Sequence, residues 1–380
     1  MKSNKIYLAL DAGTTTVKAL AFDNSLSLLA RAEQQLNKQF PSPGWVEQNP
    51  KEILQASVTV LKKTIKQLPS SSKIVLGITN QRETIIAWDK QTGKSIYPAI
   101  VWEDKRTKQI CAKLAKQAIL IKRLTGLSLS PYFSASKIFW LLQHSTKAKQ
   151  LLKLNRLAVG TVDSWLIFNF TKHHLTDRTN ASRTLLYDVK KQQWSKKLCG
   201  LFNIPLSILP SVQSSSSSFG YTKPKLFGKK IPIYAVAGDQ QASMAAAYPN
   251  DTKATFGTGL FVNQRTNKKF KLYKDWYTTL LPDNSYCLEA KVEGIGKKIS
   301  AYLNNKQRLN KVIRAIANQA VRLIHSLPRR PKFLIIDGGA TRNPILQQQL
   351  EKQLGIPVSV LSPYDGAALG IAKLLSQKVQ

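Results

Sequence analysis

The most pointed chemistry in the chain lies near its start, in LALDAGTTTVKALAFD, residues 8–23. Two apolar runs, residues 6–10 and 19–22, flank a polar turn, the pattern of a β-hairpin. Gly13 lets the backbone approach a ligand closely because it carries no Cβ. Thr14, Thr15 and Thr16 offer the hydroxyl and amide donors that a polyphosphate requires. Asp11, at the strand end, is a candidate anchor for Mg2+ through its carboxylate or an ordered water. Lys18 follows as a point charge for phosphate oxygens. The stretch by itself reads equally as an ordinary hairpin turn, so the choice rests on the remaining motifs.

Three further groups share this character. Arg82-Glu83 follows an apolar strand at 73–77, where the two side chains are either substrate ligands or a solvated charge pair. Asp239 ends the apolar run of AVAGDQQ, a position that suits a catalytic carboxylate and equally a helix N-cap. Glycine turns recur at Gly257-Thr258-Gly259 and at Asp337-Gly338-Gly339-Ala340.

The elements that must position these groups follow from periodicity. A strand is expected at 30–36. A helix follows Asn49-Pro50-Lys51-Glu52, with Asn49 as N-cap, Pro50 in the first turn and Glu52 reaching back. Leu54, Val58, Leu61, Ile65 and Leu68 would form its buried stripe. Strands are expected at 73–77 and 84–88, helices at 106–125 and 137–154, and a strand leading into a helix across 159–170. Residues 214–218 read as a serine-rich surface loop, the most linker-like piece of the chain. A strand at 231–237 precedes a small-residue helix. A helix is expected at 311–327, with Val312, Ile316, Ala320, Leu323 and Leu327 on one face. A strand at 333–336, a helix from about Asn343 and a closing helix at 366–377 complete the reading. Two strand–glycine-turn units, one per half, imply two related α/β domains facing a cleft, with the boundary near Ala247.

Length and composition agree with this plan. A chain of 380 residues suggests about two domains. Its 43% hydrophobic and 21% charged residues are those of a soluble globular protein. No apolar run approaches a membrane span, and MKSNKIYLAL lacks the features of a secretory leader. Cys111, Cys199 and Cys287 fall in no metal-ligand spacing and read as inert thiols of a reducing cytoplasm. Lys+Arg 57 against Asp+Glu 21 gives a net charge of +36. Such a balance suits nucleic-acid or membrane-surface binding. The lysine pairs are dispersed, however, which favours a basic surface in general over a dedicated nucleic-acid or membrane site. That surface would draw in anionic substrates, nucleotides among them.

Together, LDAGTTTVKA, PSPGWVEQNP, GITNQRETIIAWDKQTGKSIYPAIVWEDKRT, TGLSLSPYFSASK, GTVDSWLI, LTDRTNASRTLLYD, AGDQQA, FGTGLF and IDGGATRN resemble the FGGY carbohydrate kinases, nearest their glycerol-phosphorylating members. The resemblance is collinear to about residue 265 and partial beyond it. It implies an α/β fold of two actin-like ATPase (ribonuclease H-like) domains facing an interdomain cleft. Residues 1–247 would be the substrate and phosphate half, and 248–380 a shortened nucleotide half. The implied activity is ATP-dependent phosphorylation of glycerol to sn-glycerol 3-phosphate, with ATP and Mg2+, in the cytoplasm; self-association is left open. Arg82 would donate to substrate hydroxyls and Glu83 accept from them. Tyr132 would add a hydroxyl handle, Trp102 and Phe261 apolar walls, and Gln240 a further hold. Asp239 would be the general base. Thr14, Thr15, Thr16, Gly257 and Thr258 would cradle the phosphates, Lys18 would neutralise them and Asp11 would hold Mg2+. Gly339 and Asn343 match the nucleoside end.

The chain departs from the family in three respects. Lys18 stands where the family usually has arginine, and lysine cannot make the same forked contact. The glycine-rich segment expected between Gly257 and Gly338 is reduced to LEAKVEGIGKKISAYL, whose Gly294 and Gly296 fall in a helix-like context. The chain also stops soon after its ALG motif. Alternatives therefore stand beside the glycerol reading: a kinase for another small polyol or sugar, or a degenerate kinase that binds ligand without turnover.

Overall fold

The computed structural model describes residues 5–249, 251–257, 259–266, 269–361 and 365–378. Two mixed sheets of the same design carry the molecule. In the first, the spatial order is Ile233–Gly238, Lys73–Asn80, Lys5–Ala12, Thr16–Phe22 and Leu28–Gln35. The last three form an antiparallel meander, and the others add in parallel. In the second, Thr252–Phe256, Leu260–Arg265 and Tyr286–Val292 repeat the antiparallel part, with Tyr277–Leu280 at the edge. Leu334–Asp337 and Val358–Val360 repeat the parallel part. The turn after Ala12 and the turn after Phe256 are thus equivalents, one per sheet.

The first strand reads as a nearly unbroken apolar run because helices cover both of its faces. Successive side chains alternate between faces. Ile6, Leu8, Leu10 and Ala12 pack beneath Pro50–Lys66 and Val162–Thr171. Tyr7 and Ala9 pack on the other side, with Ala242 and Ala246 of Asp239–Ala247 and with Ile371 and Leu375 of Gly366–Lys378. The last helix therefore docks on the first sheet, so the closing segment returns to the half that begins the chain.

That docking needs two glycines. A Cβ at Gly77 would lie 2.3 Å from Ile371 Cγ2, and one at Gly370 would lie 1.7 Å from the carbonyl oxygen of Ala242. The second contact is with backbone, which cannot rotate aside. Gly370→Ala is expected to lower unfolding stability by about 3 kcal/mol, whereas Gly200→Ala, whose Cβ would meet nothing within 4 Å, should be neutral. Paired urea titrations check this; equal midpoints would refute the close crossing.

A smaller four-stranded sheet, Glu47–Gln48, Ala99–Ile100, Ile85–Asp89 and Leu157–Thr161, extends the first half. Short helices pack on it around Phe133, Leu141 and Phe202. Here the expected long helices are broken. Residues 106–125 form Lys108–Lys113, the 3-10 turn Ala115–Gln117 and Ala118–Thr125. Residues 137–154 divide at Ser145, whose hydroxyl caps Thr146–Lys153 by accepting from Ala148 N.

Other expectations are corrected in register. Asn49 caps its helix and Pro50 opens it, but Glu52 accepts from Asn37 at 3.1 Å and does not reach back. The buried stripe of this helix is Ile53, Ala56, Ser57, Val60, Leu61 and Thr64, so Leu54, Val58, Ile65 and Leu68 form its half-buried flank. The helix Lys306–His325 likewise buries Ile313, Ile316, Ala317, Ala320, Val321 and Ile324, leaving Val312 and Leu323 partly covered. In LEAKVEGIGKKISAYL, Gly296 lies in the helix Ile295–Ser300 as expected, whereas Gly294 (φ +78°) forms the turn that joins it to the strand Tyr286–Val292. The serine-rich loop is no linker either. Ser215 is buried, its hydroxyl donating to Asp177 (2.6 Å) and its carbonyl accepting from Val236 N (2.9 Å). The three cysteines are free and buried. Among the described residues no helix is long and apolar enough to cross a membrane.

Candidate active site

A cavity of about 420 Å³ opens between the two sheets. The first hairpin supplies one wall. Gly13 N donates to Thr16 O (3.1 Å), closing the turn so tightly that a Cβ on Gly13 would stand 2.9 Å from that oxygen. Thr15 is exposed on the rim, and Thr16 Oγ1 donates to Gln35. Thr14 is committed differently from expectation: its hydroxyl donates to Gln81 Oε1 (3.2 Å) and accepts from Trp102 Nε1 (2.9 Å). It positions the indole. Lys18 forms an ion pair with Asp365. Asp11 pairs across the hairpin with Lys18. Burial pushes its carboxyl up to about 7; Lys18 opposes the rise, and Asp239 and Asp365 add to it.

Arg82 and Glu83 sit in a tight turn between strands. Thr84 N donates to Arg82 O (2.8 Å), and Glu83 is held at φ +62°, a strained backbone for a non-glycine residue and one that clusters at ligand sites. The guanidinium of Arg82 is almost filled. Its Nε lies 3.0 Å from Asp239 Oδ1, Nη1 donates to Glu289 Oε2 (2.6 Å) and Gln241 Oε1 (3.3 Å), and Nη2 donates to Glu289 Oε1 (3.1 Å). Of five N–H groups, three donate to Glu289 and Gln241 and Nε–H lies beside Asp239, so one Nη2 proton remains for a ligand. Glu83 Oε1 accepts from Arg183 Nε (2.6 Å), which leaves Oε2 as its available acceptor.

Asp239 is the first residue of its helix, and the N-cap position belongs to Gly238. Gly238 is required there because a Cβ would lie 2.7 Å from Arg82 Cδ. Asp239 Oδ1 accepts from Gln240 N (2.7 Å). Its side chain is 34% exposed to the cleft and walled in elsewhere. Burial raises its carboxyl to about 6, against the pull of Arg82 and with a push from Glu83.

Aromatic walls complete the inner end. Trp102 meets Tyr132 edge to face, with ring centroids 5.5 Å apart, and Trp102 N donates to Thr84 Oγ1 (3.1 Å). Phe261 faces them from the second sheet, with the Arg82 guanidinium 5.8 Å from its ring centroid. Beside Phe261 in register stands Lys291, whose Nζ lies 3.1 Å from the centroid of the Tyr132 ring.

The cavity thus brings together Asp11, Thr14, Thr15, Thr16, Lys18, Arg82, Glu83, Trp102, Tyr132, Asp239, Gln240, Gly257, Phe261 and Gly339. Gly257 and Gly339 face open space where a Cβ would stand, leaving room for a ligand against the backbone. Thr258 lies outside the described residues. Asn343 is not part of the cavity lining: its side chain caps the helix Pro344–Leu354 by accepting from Ile345 N (3.0 Å). Asp337 is held by Lys253 (2.6 Å) and the Ser243 hydroxyl (2.7 Å). Among the described residues no group of three or more His, Cys, Asp or Glu side chains is gathered to hold a metal ion. Asp11 fits the other way of holding Mg2+, through one carboxylate plus substrate phosphates.

Sequence reasoning missed two residues, Arg183 and Glu289. Arg183 is fully buried and reaches both Glu83 and Glu289, the latter at 2.8 Å. Glu289, also fully buried, is contributed by the second sheet to a cluster otherwise built by the first half. The available signal was an acid inside an apolar strand, YCLEAKV, in a chain with few acids.

Residues 6–246 match the N-terminal domain of the FGGY family of carbohydrate kinases. The glycerol kinase of Mycoplasma genitalium is 44% identical over 281 residues, covering 70% of this chain and 55% of that protein. The glycerol kinase of Aquifex aeolicus is 43% identical over 269 residues, with the same coverage. The matched stretch therefore spans about half the length of these curated relatives. The crystal structure of Plasmodium falciparum glycerol kinase with ADP superposes with a TM-score of 0.90 at 29% identity, over 100% of this chain and 90% of that one. A ligand-bound xylulose kinase from Lactobacillus acidophilus superposes with a TM-score of 0.85 at 16% identity, over 99% and 89%. At that identity the likeness concerns the fold alone.

Proposed function

The chain belongs to the FGGY family of carbohydrate kinases, and we propose that it transfers the terminal phosphoryl group of ATP to a terminal hydroxyl of glycerol, giving sn-glycerol 3-phosphate and ADP. One observation carries this reading: Arg82, Glu83 and Asp239 converge with Trp102, Tyr132 and Phe261 on one small cavity beside the Gly13–Thr16 turn. That is a polyol site next to a phosphate site. Relatives that bear the name glycerol kinase support the choice of substrate.

In this mechanism the first half binds substrate and phosphates, and the second half carries the nucleoside. Glu83 Oε2 and the remaining Arg82 proton take glycerol hydroxyls, while the aromatic rings cover its C–H faces. Such buried polar groups reject analogues that lack a hydroxyl. Asp239 accepts the proton of the attacking hydroxyl, and Gln240 helps hold the substrate. Thr15, Thr16, Gly257 and Thr258 cradle the phosphates, and Gly339 leaves room for the nucleoside. Asp11 would hold Mg2+, which when bound would supply the charge neutralisation that phosphoryl transfer chiefly requires.

The test is ADP release from ATP and Mg2+ with glycerol, with xylitol or ribitol in its place, and with no acceptor. Release that depends on glycerol is expected. Release without an acceptor, or none with any acceptor, refutes the proposal. The pH profile gives a second check. Asp239 must be ionised to accept a proton, and its carboxyl is raised to about 6. kcat/KM should fall tenfold per pH unit below about 6 and level off above it.

A further inference from the structure

Lys18 and Arg31 stand on neighbouring antiparallel strands, Thr16–Phe22 and Leu28–Gln35, with Arg31 opposite Leu20 in register. Residues two apart share a sheet face, so the two cations lie on one side, the side covered by the last helix. They converge on a single carboxylate: Lys18 on Asp365 Oδ1, and Arg31 Nη1 on Oδ2 at 2.7 Å. Asp365 immediately precedes that helix, and its side chain is only 7% exposed. All three residues line the cleft cavity with Thr16 and Gly339. Two cations holding the two oxygens of one buried carboxylate make a seat shaped for an anion. In addition, Arg31 brings a forked guanidinium, which Lys18 does not have.

Resting on the kinase reading, we propose that Lys18 and Arg31 form a two-cation seat for the terminal phosphates of the nucleotide, and that Asp365 occupies this seat as an internal carboxylate which the nucleotide must displace. Arg31 then supplies from the third strand the planar fork missing at position 18. Asp365 acts as a built-in competitor that lowers nucleotide affinity. The fork is shared: Arg31 Nη2 also holds Glu33 Oε2 at 2.7 Å. Release of Asp365 therefore frees one arm of the guanidinium while Glu33 keeps the other in place.

Equilibrium binding by calorimetry tests this without reference to turnover, with ATP plus Mg2+ as one ligand and adenosine as the other. Asp365→Asn should tighten ATP binding about tenfold, and Arg31→Gln should weaken it by a similar factor. Both should leave adenosine unchanged, since adenosine has no phosphates. Arg31 is 38% exposed along its side chain, so its variant keeps the test open should Asp365→Asn fail to fold. Unchanged or weakened ATP binding in Asp365→Asn, unchanged binding in Arg31→Gln, or equal shifts for adenosine would overturn the proposal. ATP binding that appears only in Asp365→Asn would support it. Absence of ATP and adenosine binding in every variant would sink the kinase reading and this inference together, whereas ATP binding indifferent to both substitutions would sink the inference alone.

Discussion

Asp239→Asn should lower glycerol-dependent ADP release by about 10³-fold, within the range that general bases contribute, with little change in KM for glycerol. The substitution keeps the shape, and an amide oxygen can still accept from Gln240 N. It removes the negative charge 3.0 Å from Arg82 Nε and the proton-accepting lone pair. The expected loss is therefore in kcat. The competing role is structural: Asp239 opens a helix at the end of a buried strand, and carboxylates favour helix N-termini. If that were its whole function, asparagine would serve nearly as well, and turnover would survive. Steady-state rates on wild type and variant, with calorimetry of glycerol on both, separate the two roles. Retained turnover excludes the base.

The second large effect is expected at Glu289. Its carboxylate accepts from Arg82 Nη1 and Nη2 and lies 2.8 Å from Arg183 Nη2, with all three side chains essentially out of water. Burial pushes the Glu289 carboxyl up, but Arg183 and Arg82 outweigh it and hold it below the usual range. Two guanidiniums from the first half, which also pair with Asp239 and Glu83, are thus bridged by one acid from the second. Removing one member of a buried ion cluster costs about 3–5 kcal/mol, because the partners stay buried without it. Glu289→Gln should lose stability on that scale and raise KM for glycerol, as Arg82 is no longer held from both ends. Chemical denaturation followed by far-UV circular dichroism reads the first effect and substrate kinetics the second. A variant with wild-type midpoint and KM would show that the cluster holds neither the halves nor the site. The carboxylate is lost as an anchor when protonated, so the depressed group stabilises at neutral pH and its contribution fades as pH falls through its lowered pKa.

That Asp239, Arg82 and Glu83 meet in one cavity was legible in the sequence because each sits in a short, chemically unusual motif at the end of a strand. Glu289 was not, because its meaning lies in a contact 207 residues away. Lys18 was read as a free phosphate ligand for the same reason: its partner Asp365 is 347 residues distant. Helix faces were legible as to period but not phase. On Pro50–Lys66, the face nearest the sheet carries Ala56, Ser57 and Thr64, and the Thr64 hydroxyl donates to Ala19 O (3.2 Å). Small residues allow this close approach, while the larger Leu54 and Val58 fill the flank. A stripe chosen by size alone therefore falls one residue out of phase. Thr14 shows the reverse limit. Its type suits a phosphate, yet its hydroxyl is fixed to Gln81 and Trp102.

The docking of Gly366–Lys378 on the first sheet also bears on how the protein is made. The ribosome delivers the first sheet long before that helix, so Tyr7, Ala9, Phe22, Val75 and Ala235 present an apolar face with no final cover while the rest of the chain is synthesised. Residues 1–247 therefore emerge without part of the cover that this face has in the folded chain. Until the last helix docks, the part of this face that Asp239–Ala247 leaves uncovered is open to chaperones or to association with another nascent copy. Contacts closed across so much sequence also slow refolding, since the entropy of closing the long loop is paid before the helix is bound.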